Sequence, residues 1–204
     1  MGKRGYHHGN LRQALVDAAL SLIAEMGPTG FTLSEAAKQA GVTPAAVYRH
    51  FAGREDLIAE AALQGYEIFA DLIAYAYGDG RPSPIAAFEA VSRAYLAFAR
   101  RHPGHYVAMF ESGISTNHSP ELAAAAARAH GVVERAAEDL SRRIPPDKRP
   151  PASMFSAHIW AMSHGVVELF ARAPGARAPF PPEDLLETGI GIYLRGLGLI
   201  DADS

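Results

Sequence analysis

Apolar residues recur at three- and four-residue spacing along nearly the whole chain, and no stretch sustains the two-residue alternation of a half-buried strand. A chain patterned this way buries its apolar side chains by packing helix on helix, so the expected class is all-α, with about nine helices. Leu11, Leu15, Ala18, Ala19, Leu22, Ile23 and Met26 form one stripe, with Asn10 placed to cap a helix over 11–26 and Gly27-Pro28 to stop it. Thr32 opens a short helix over 33–39, Gly41 ends it, and Thr43-Pro44 opens another that runs through Phe51. A longer helix is expected over 54–77, with Gly65 as a soft point in its middle. Breaks at Gly78–Pro84, His102-Pro103-Gly104, Ile144-Pro145-Pro146, Pro150-Pro151 and 173–182 separate helices over 84–101, 105–113, 120–143, 151–172 and 183–198.

At 204 residues, 49% of them apolar and 20% charged, the chain can bury a real core without staples. The absence of cysteine excludes disulfides, thiolate metal sites and a cysteine nucleophile. The start, Met1-Gly2-Lys3-Arg4-Gly5-Tyr6, is followed by no apolar targeting segment, and no run approaches the length that spans a bilayer. A soluble, cytoplasmic protein without a membrane partner is expected. The net charge of −3 hides an asymmetry: residues 1–54 carry six Lys/Arg against three acids, and the remainder stands at −6. One basic end on an acidic body suits a chain that meets a polyanion at that end.

Residues 32–51 have the physical parts of a helix-turn-helix. Two short helices cross closely only when the residues between them are small and the turn tolerates a positive φ; Ala36, Ala37 and Ala40 supply the first condition and Gly41 the second. Leu33, Val42, Val47 and Phe51 fill the wedge, which turns the other side of the second helix outward toward a major groove. Thr43 offers a hydroxyl and free N–H groups to a phosphate, and Tyr48 and His50 can reach backbone oxygens. Arg49 is the residue best able to read a base, through guanine O6 and N7, while Pro44, Ala45 and Ala46 make apolar contacts. Thr32 and Arg54 flank the motif as further phosphate holders.

Taken together, Phe31-Thr32-Leu33, Ala40-Gly41-Val42, Tyr48-Arg49-His50-Phe51 and Arg54-Glu55-Asp56-Leu57 resemble the N-terminal domain of the tetracycline-repressor (TetR) family. The likeness covers residues 9–69, with Arg54 where lysine is usual and Ala45-Ala46 in place of more polar readers. It implies a DNA-binding domain over 9–69 and, over 70–204, a helical domain for dimerisation and ligand binding. Trp160-Ala161-Met162-Ser163-His164-Gly165 resembles the Trp-xxx-His-Gly signature of one C-terminal subtype. The implied function is a ligand-responsive repressor that binds a pseudo-palindromic double-stranded operator as a homodimer. The alternative is a helical small-molecule carrier or enzyme that has kept the fold without binding DNA.

The helix expected over 151–172 is apolar nearly all round, which calls for cover from its own core and from a partner. Phe155, Ile159, Trp160, Met162, Gly165, Val166 and Ile190 are the candidate dimer contacts, Gly165 because a second backbone can approach it. Phe69, Tyr95, Phe98, Tyr106, Met109, Phe110, Met154 and His158 are the candidates to line a pocket for a small-molecule effector, although aromatics and Met at helical spacing also build plain core. His164 with Glu168 and His130 with Glu134 stand one turn apart and read as neighbours rather than metal ligands. No Gly-rich phosphate loop, nucleophile elbow or His-Glu-x-x-His is present, so neither catalysis nor a cofactor is expected.

Overall fold

The computed structural model describes residues 8–172 and 180–200, with side chains from Leu11 onward. Among the described residues there is no strand, and nine α-helices follow one another: α1 (His8–Met26), α2 (Leu33–Gln39), α3 (Pro44–Val47), α4 (Arg54–Tyr77), α5 (Pro84–Arg101), α6 (Pro103–Phe110), α7 (Pro120–Ser141), α8 (Ala152–Val166) and α9 (Pro182–Gly196). Short 3-10 turns occupy Gly78–Gly80 and Thr116–His118, and α8 passes into a π-helical turn over Val167–Ala171. No helix among the described residues is long and apolar enough to cross a membrane.

Three expected boundaries are corrected. α1 starts at His8, so Asn10 lies inside it rather than capping it. The second short helix ends at Val47, and residues 48–50 form a turn instead of carrying helix to Phe51. His102-Pro103-Gly104 starts a helix as well as ending one: Pro103 sits at the first helical position, where its missing N–H costs nothing, and Gly104 lies within α6. A Cβ on Gly104 would stand 2.5 Å from the backbone oxygen of Leu20, so this glycine serves the crossing of α6 over α1. Residues 173–179, most of the last expected break, lie outside the described residues.

The chain forms two compact units. The first comprises residues 8–67 and 102–126, the second 68–101 and 127–200, and α4 and α7 each contribute to both. In the first unit, Leu15, Val16, Ala19 and Ile23 of α1 are buried with Phe31, Ala36, Ala37, Val47, Phe51, Leu57, Ile58 and Tyr106. α6 packs on α4 at Gly65, where a Cβ would lie 2.6 Å from Met109 Sδ. A side chain at this position would require Met109 to shift.

In the second unit, Phe69, Tyr95, Phe98 and Trp160 form one aromatic cluster with ring centroids 5.0 to 5.9 Å apart. Most of its pairs meet edge to face, a geometry that adds about 0.5–1.5 kcal/mol per pair beyond the area buried. A second group, Phe88, Phe155 and Tyr193, ties α5, α8 and α9 together at 5.3 and 5.4 Å.

Candidate nucleic-acid interface

The first unit builds an outward face from the two short helices, and local chemistry accounts for each turn of the chain. Thr32 is extended at φ −113°, ψ 159°, and its Oγ1 accepts from the Glu35 N–H at 3.2 Å. The Glu35 carboxylate in return accepts from the Thr32 N–H at 2.7 Å and the Thr32 hydroxyl at 2.9 Å. These bonds favour the charged carboxyl and hold the Glu35 pKa below its ordinary value, the side-chain bond from Thr32 contributing most and the backbone bond next. At the other end of α2, Gly41 adopts φ +72°; its N–H donates to Lys38 O at 3.1 Å while the Val42 N–H donates to Ala37 O at 2.9 Å. This pair of bonds is a Schellman stop, which needs a left-handed residue where Gly41 stands.

The chain then restarts at Thr43, extended at φ −77°, ψ 149°, with Pro44 opening α3. Val47 is fully buried and Phe51 nearly so, and together they pin the element to the core. The opposite side is left open: Thr43, Pro44, Ala45, Tyr48 and Arg49 are exposed, and Ala46 and His50 are half-buried. Tyr48 shows 62% of its surface. Lys38 and Gln39, at the end of α2, are exposed as well. The face thus carries one cationic side chain from α2 and one from the turn after α3, with hydroxyl and imidazole groups and small apolar groups on and beside α3.

Seven of the nine residues read from the sequence come together on or beside this face, and two are engaged elsewhere. The Thr32 hydroxyl is occupied by Glu35 in the cap. Arg54, at the start of α4, turns inward: its guanidinium donates to Pro28 O and lies 5.3 Å from the centre of the Phe31 ring, with Nε buried.

Arg12 of α1 matters here and was not singled out in the sequence. Its Nη1 donates to His50 O at 3.0 Å, its Nη2 pairs with Glu60 Oε2 at 2.5 Å, and its guanidinium lies 4.6 Å from the centre of the Phe51 ring. One side chain therefore joins α1, the turn after α3 and α4. A second tie is Asp56: Oδ2 accepts from the Ala52 N–H at 3.0 Å, and Oδ1 lies 2.9 Å from His118 Nε2.

The candidate pocket residues do not share one cavity. Phe69, Tyr95 and Phe98 belong to the aromatic cluster of the second unit, whereas Tyr106, Met109 and Phe110 pack in the first, Phe110 against Tyr66 at 5.9 Å. Met154 and His158 are exposed on α8, and His158 Nδ1 lies 2.9 Å from Tyr193 Oη. The candidate dimer contacts also divide. Phe155, Ile159 and Ile190 are at most 3% exposed within the single chain, because α5 and α9 cover that flank of α8. These three are therefore corrected from candidate dimer contacts to core of the single chain. Trp160 belongs largely to the aromatic cluster, while Met162, Gly165 and Val166 are half-exposed, and Met154, Leu169 and Ile192 are exposed. Among the described residues, no three His, Asp or Glu side chains gather as a metal-ligating group.

Two family models match the chain: that of bacterial regulatory proteins of the tetR family over residues 15–61, and that of a tetracyclin repressor-like C-terminal domain over residues 88–193. The uncharacterized HTH-type transcriptional regulator YobS of Bacillus subtilis is 30% identical over 104 residues, covering 49% of this chain and 51% of that protein. The HTH-type transcriptional regulator BetI of Rhizobium meliloti is 47% identical over 47 residues, covering 23% of each chain. The matched stretches thus span about half of YobS and about a quarter of BetI. Among solved structures, a protein of unknown function from Rhodococcus sp. RHA1 superposes with a TM-score of 0.79 at 25% identity, covering 96% of this chain and 99% of that one. AibR in complex with isovaleryl coenzyme A and operator DNA superposes with a TM-score of 0.70 at 20% identity, over 89% of this chain and 97% of that one, a likeness of fold.

Proposed function

Because the chain belongs to the TetR family of bacterial regulatory proteins, we propose that it is a cytoplasmic transcriptional repressor that binds a pseudo-palindromic DNA operator as a homodimer and releases it on taking up a small molecule. The observation that carries this reading is the face over Thr43–Arg49, open to solvent along one side and anchored by Val47 and Phe51 on the other. A short helix held this way is the shape that enters a major groove about 12 Å wide. Arg49 reads a base, and Thr43, Tyr48, His50 and Lys38 hold phosphates. Arg12 fixes the turn at His50 from behind, so its role is positioning. Residues 9–69 act as the DNA-binding domain and 70–204 as the effector and dimerisation domain, with α4 common to both.

The dimer forms through the faces of α8 and α9 that the single chain leaves open. Met154, Met162, Val166 and Leu169 recur at three, four or eight residues along α8 and its π turn, and Ile192 lies exposed on α9. Gly165 stands in this row with open space where a Cβ would point, room for a partner's backbone. The Trp-xxx-His-Gly assignment rests on Trp160, His164 and Gly165, the first two packed with Tyr95, whose hydroxyl lies 2.9 Å from His164 Nδ1.

AibR, a structure of the same fold, is known with both isovaleryl coenzyme A and operator DNA, and this supports the ligand-responsive part of the reading. The test is fluorescence anisotropy with the duplex upstream of the chain's own gene, titrated at several salt concentrations. The expected result is saturable binding whose affinity falls steeply with salt. Binding absent at low salt overturns the reading.

A further inference from the structure

The aromatic cluster of the second unit leaves about 10 Å³ between Phe69, Tyr95, Ile159 and Trp160, about the space one water needs. No effector fits there as the side chains stand. The same Trp160 also lines a groove of about 400 Å³ between α7 and α8, a volume in the range of small-molecule sites. Across this groove, His130 and Glu134, one turn apart on α7, oppose Trp160 and His164, one turn apart on α8, with Ser153 and Ser156 toward the start of α8.

Two observations define what the groove accepts. The His130 imidazole lies flat against the Trp160 indole, centroids 4.6 Å apart and planes within 18°, so the indole face already takes one flat heteroaromatic ring. The lining contains no Lys or Arg, and Glu134 is its one carboxylate, exposed and bonded to none of the described residues. A flat ring is held by stacking, and a positive charge gains from both the indole π-face and the carboxylate. An anion is repelled by Glu134 and meets no cationic Lys or Arg in the lining to offset it.

We propose that the α7–α8 groove binds a small flat organic cation, its ring taking the place of His130 on Trp160 and its charge set against Glu134. This deepens the ligand-responsive reading given above and names the chemistry of the effector. Because Trp160 is shared with the closed aromatic cluster, an occupant on its outer face bears directly on the packing of Phe69 in α4.

The experiment uses the full chain at about pH 8, above the ordinary histidine range, and follows the fluorescence of the single tryptophan together with calorimetry. The probes are benzamidinium, neutral benzamide and anionic benzoate. Benzamidinium is expected to bind saturably, benzamide and benzoate about tenfold or more weakly, and Glu134→Gln to weaken benzamidinium about tenfold. Glu138→Gln, one turn further along α7, is expected to leave binding unchanged. The proposal is overturned by no saturable response to benzamidinium, by equal affinity for benzamide, or by Glu134→Gln binding as the parent does. Operator affinity measured with and without benzamidinium separates the two readings. Saturable cation binding with unchanged operator affinity upholds the groove and overturns its effector role; salt-sensitive operator binding with no cation binding overturns the groove and leaves the DNA reading standing.

Discussion

Arg49, Arg12 and Arg54 lie within one small unit, yet they do different work. Arg49 is exposed on the face proposed to read DNA; its replacement by Ala is expected to cost about 1–3 kcal/mol of discrimination at one base pair per half-site. Arg12→Gln frees the His50 carbonyl and Glu60, so affinity should fall for all sequences while the salt slope stays as in the parent. Competition binding against a randomised half-site separates the two. Arg54 is spent on Pro28 O and the Phe31 ring, so Arg54→Ala should lower the unfolding midpoint without reducing the salt slope. The exposed side chains of that face were legible because the helix-turn-helix pattern is local. Arg12 was not: its partners lie 38 and 48 residues away, and nothing near it in the sequence marks them.

His105 gives the residue scale a pH dependence. Burial in the first unit, aided by the neighbouring His102, holds its pKa down to about 4, and Nε2 is buried with no hydrogen-bond partner among the described residues. The folded state therefore stays neutral while the unfolded chain takes up a proton below about 6.5. Linkage makes stability fall as the pH drops from about 6.5 toward 4, because the unfolded state binds more protons in that window. His105→Leu should flatten the stability-against-pH curve between those values in chemical denaturation. An unchanged slope would mean that other groups set it.

At the scale of elements, helix existence was legible almost everywhere because apolar periodicity and Gly/Pro punctuation agree, and α2, α4 and α5 have the expected bounds. The misread punctuation was at Pro103-Gly104, where the deciding fact is the backbone of Leu20 on another helix. Gly104→Ala should consequently destabilise by about 1–3 kcal/mol, since a backbone atom cannot step aside as a side chain does. Gly165 is the contrasting case, with open space in the single chain. Gly165→Leu should leave the chain folded, by circular dichroism, and shift sedimentation from dimer toward monomer. Ile190→Asp, which buries a charge in the chain's own core, should unfold it instead.

For the whole molecule, the fold class was legible in the sequence, but not which apolar side chains face inward on α8 and α9. Both helices are apolar on several flanks, and periodicity alone does not say which flank a neighbouring helix covers. The same ambiguity scattered the pocket candidates between two units: aromatic residues look alike in a sequence whether they close a cavity or line one. The charge asymmetry of the sequence does not divide the two units: the first unit also holds the acids Glu55, Asp56, Glu60 and Glu67 of α4, with Glu111 and Glu121 beyond it. The central claim is that the Thr43–Arg49 face of a homodimer reads operator DNA. Its most direct test is selection of bound duplexes from a random pool, followed by analytical sedimentation of the winning duplex with parent and Arg49→Ala chains. The account predicts an inverted repeat bound by two chains per pair of half-sites, with preference at one base pair in each half relaxed in the variant. Recovery of no enriched sequence, or of a site whose base preferences are untouched by Arg49→Ala, would contradict it.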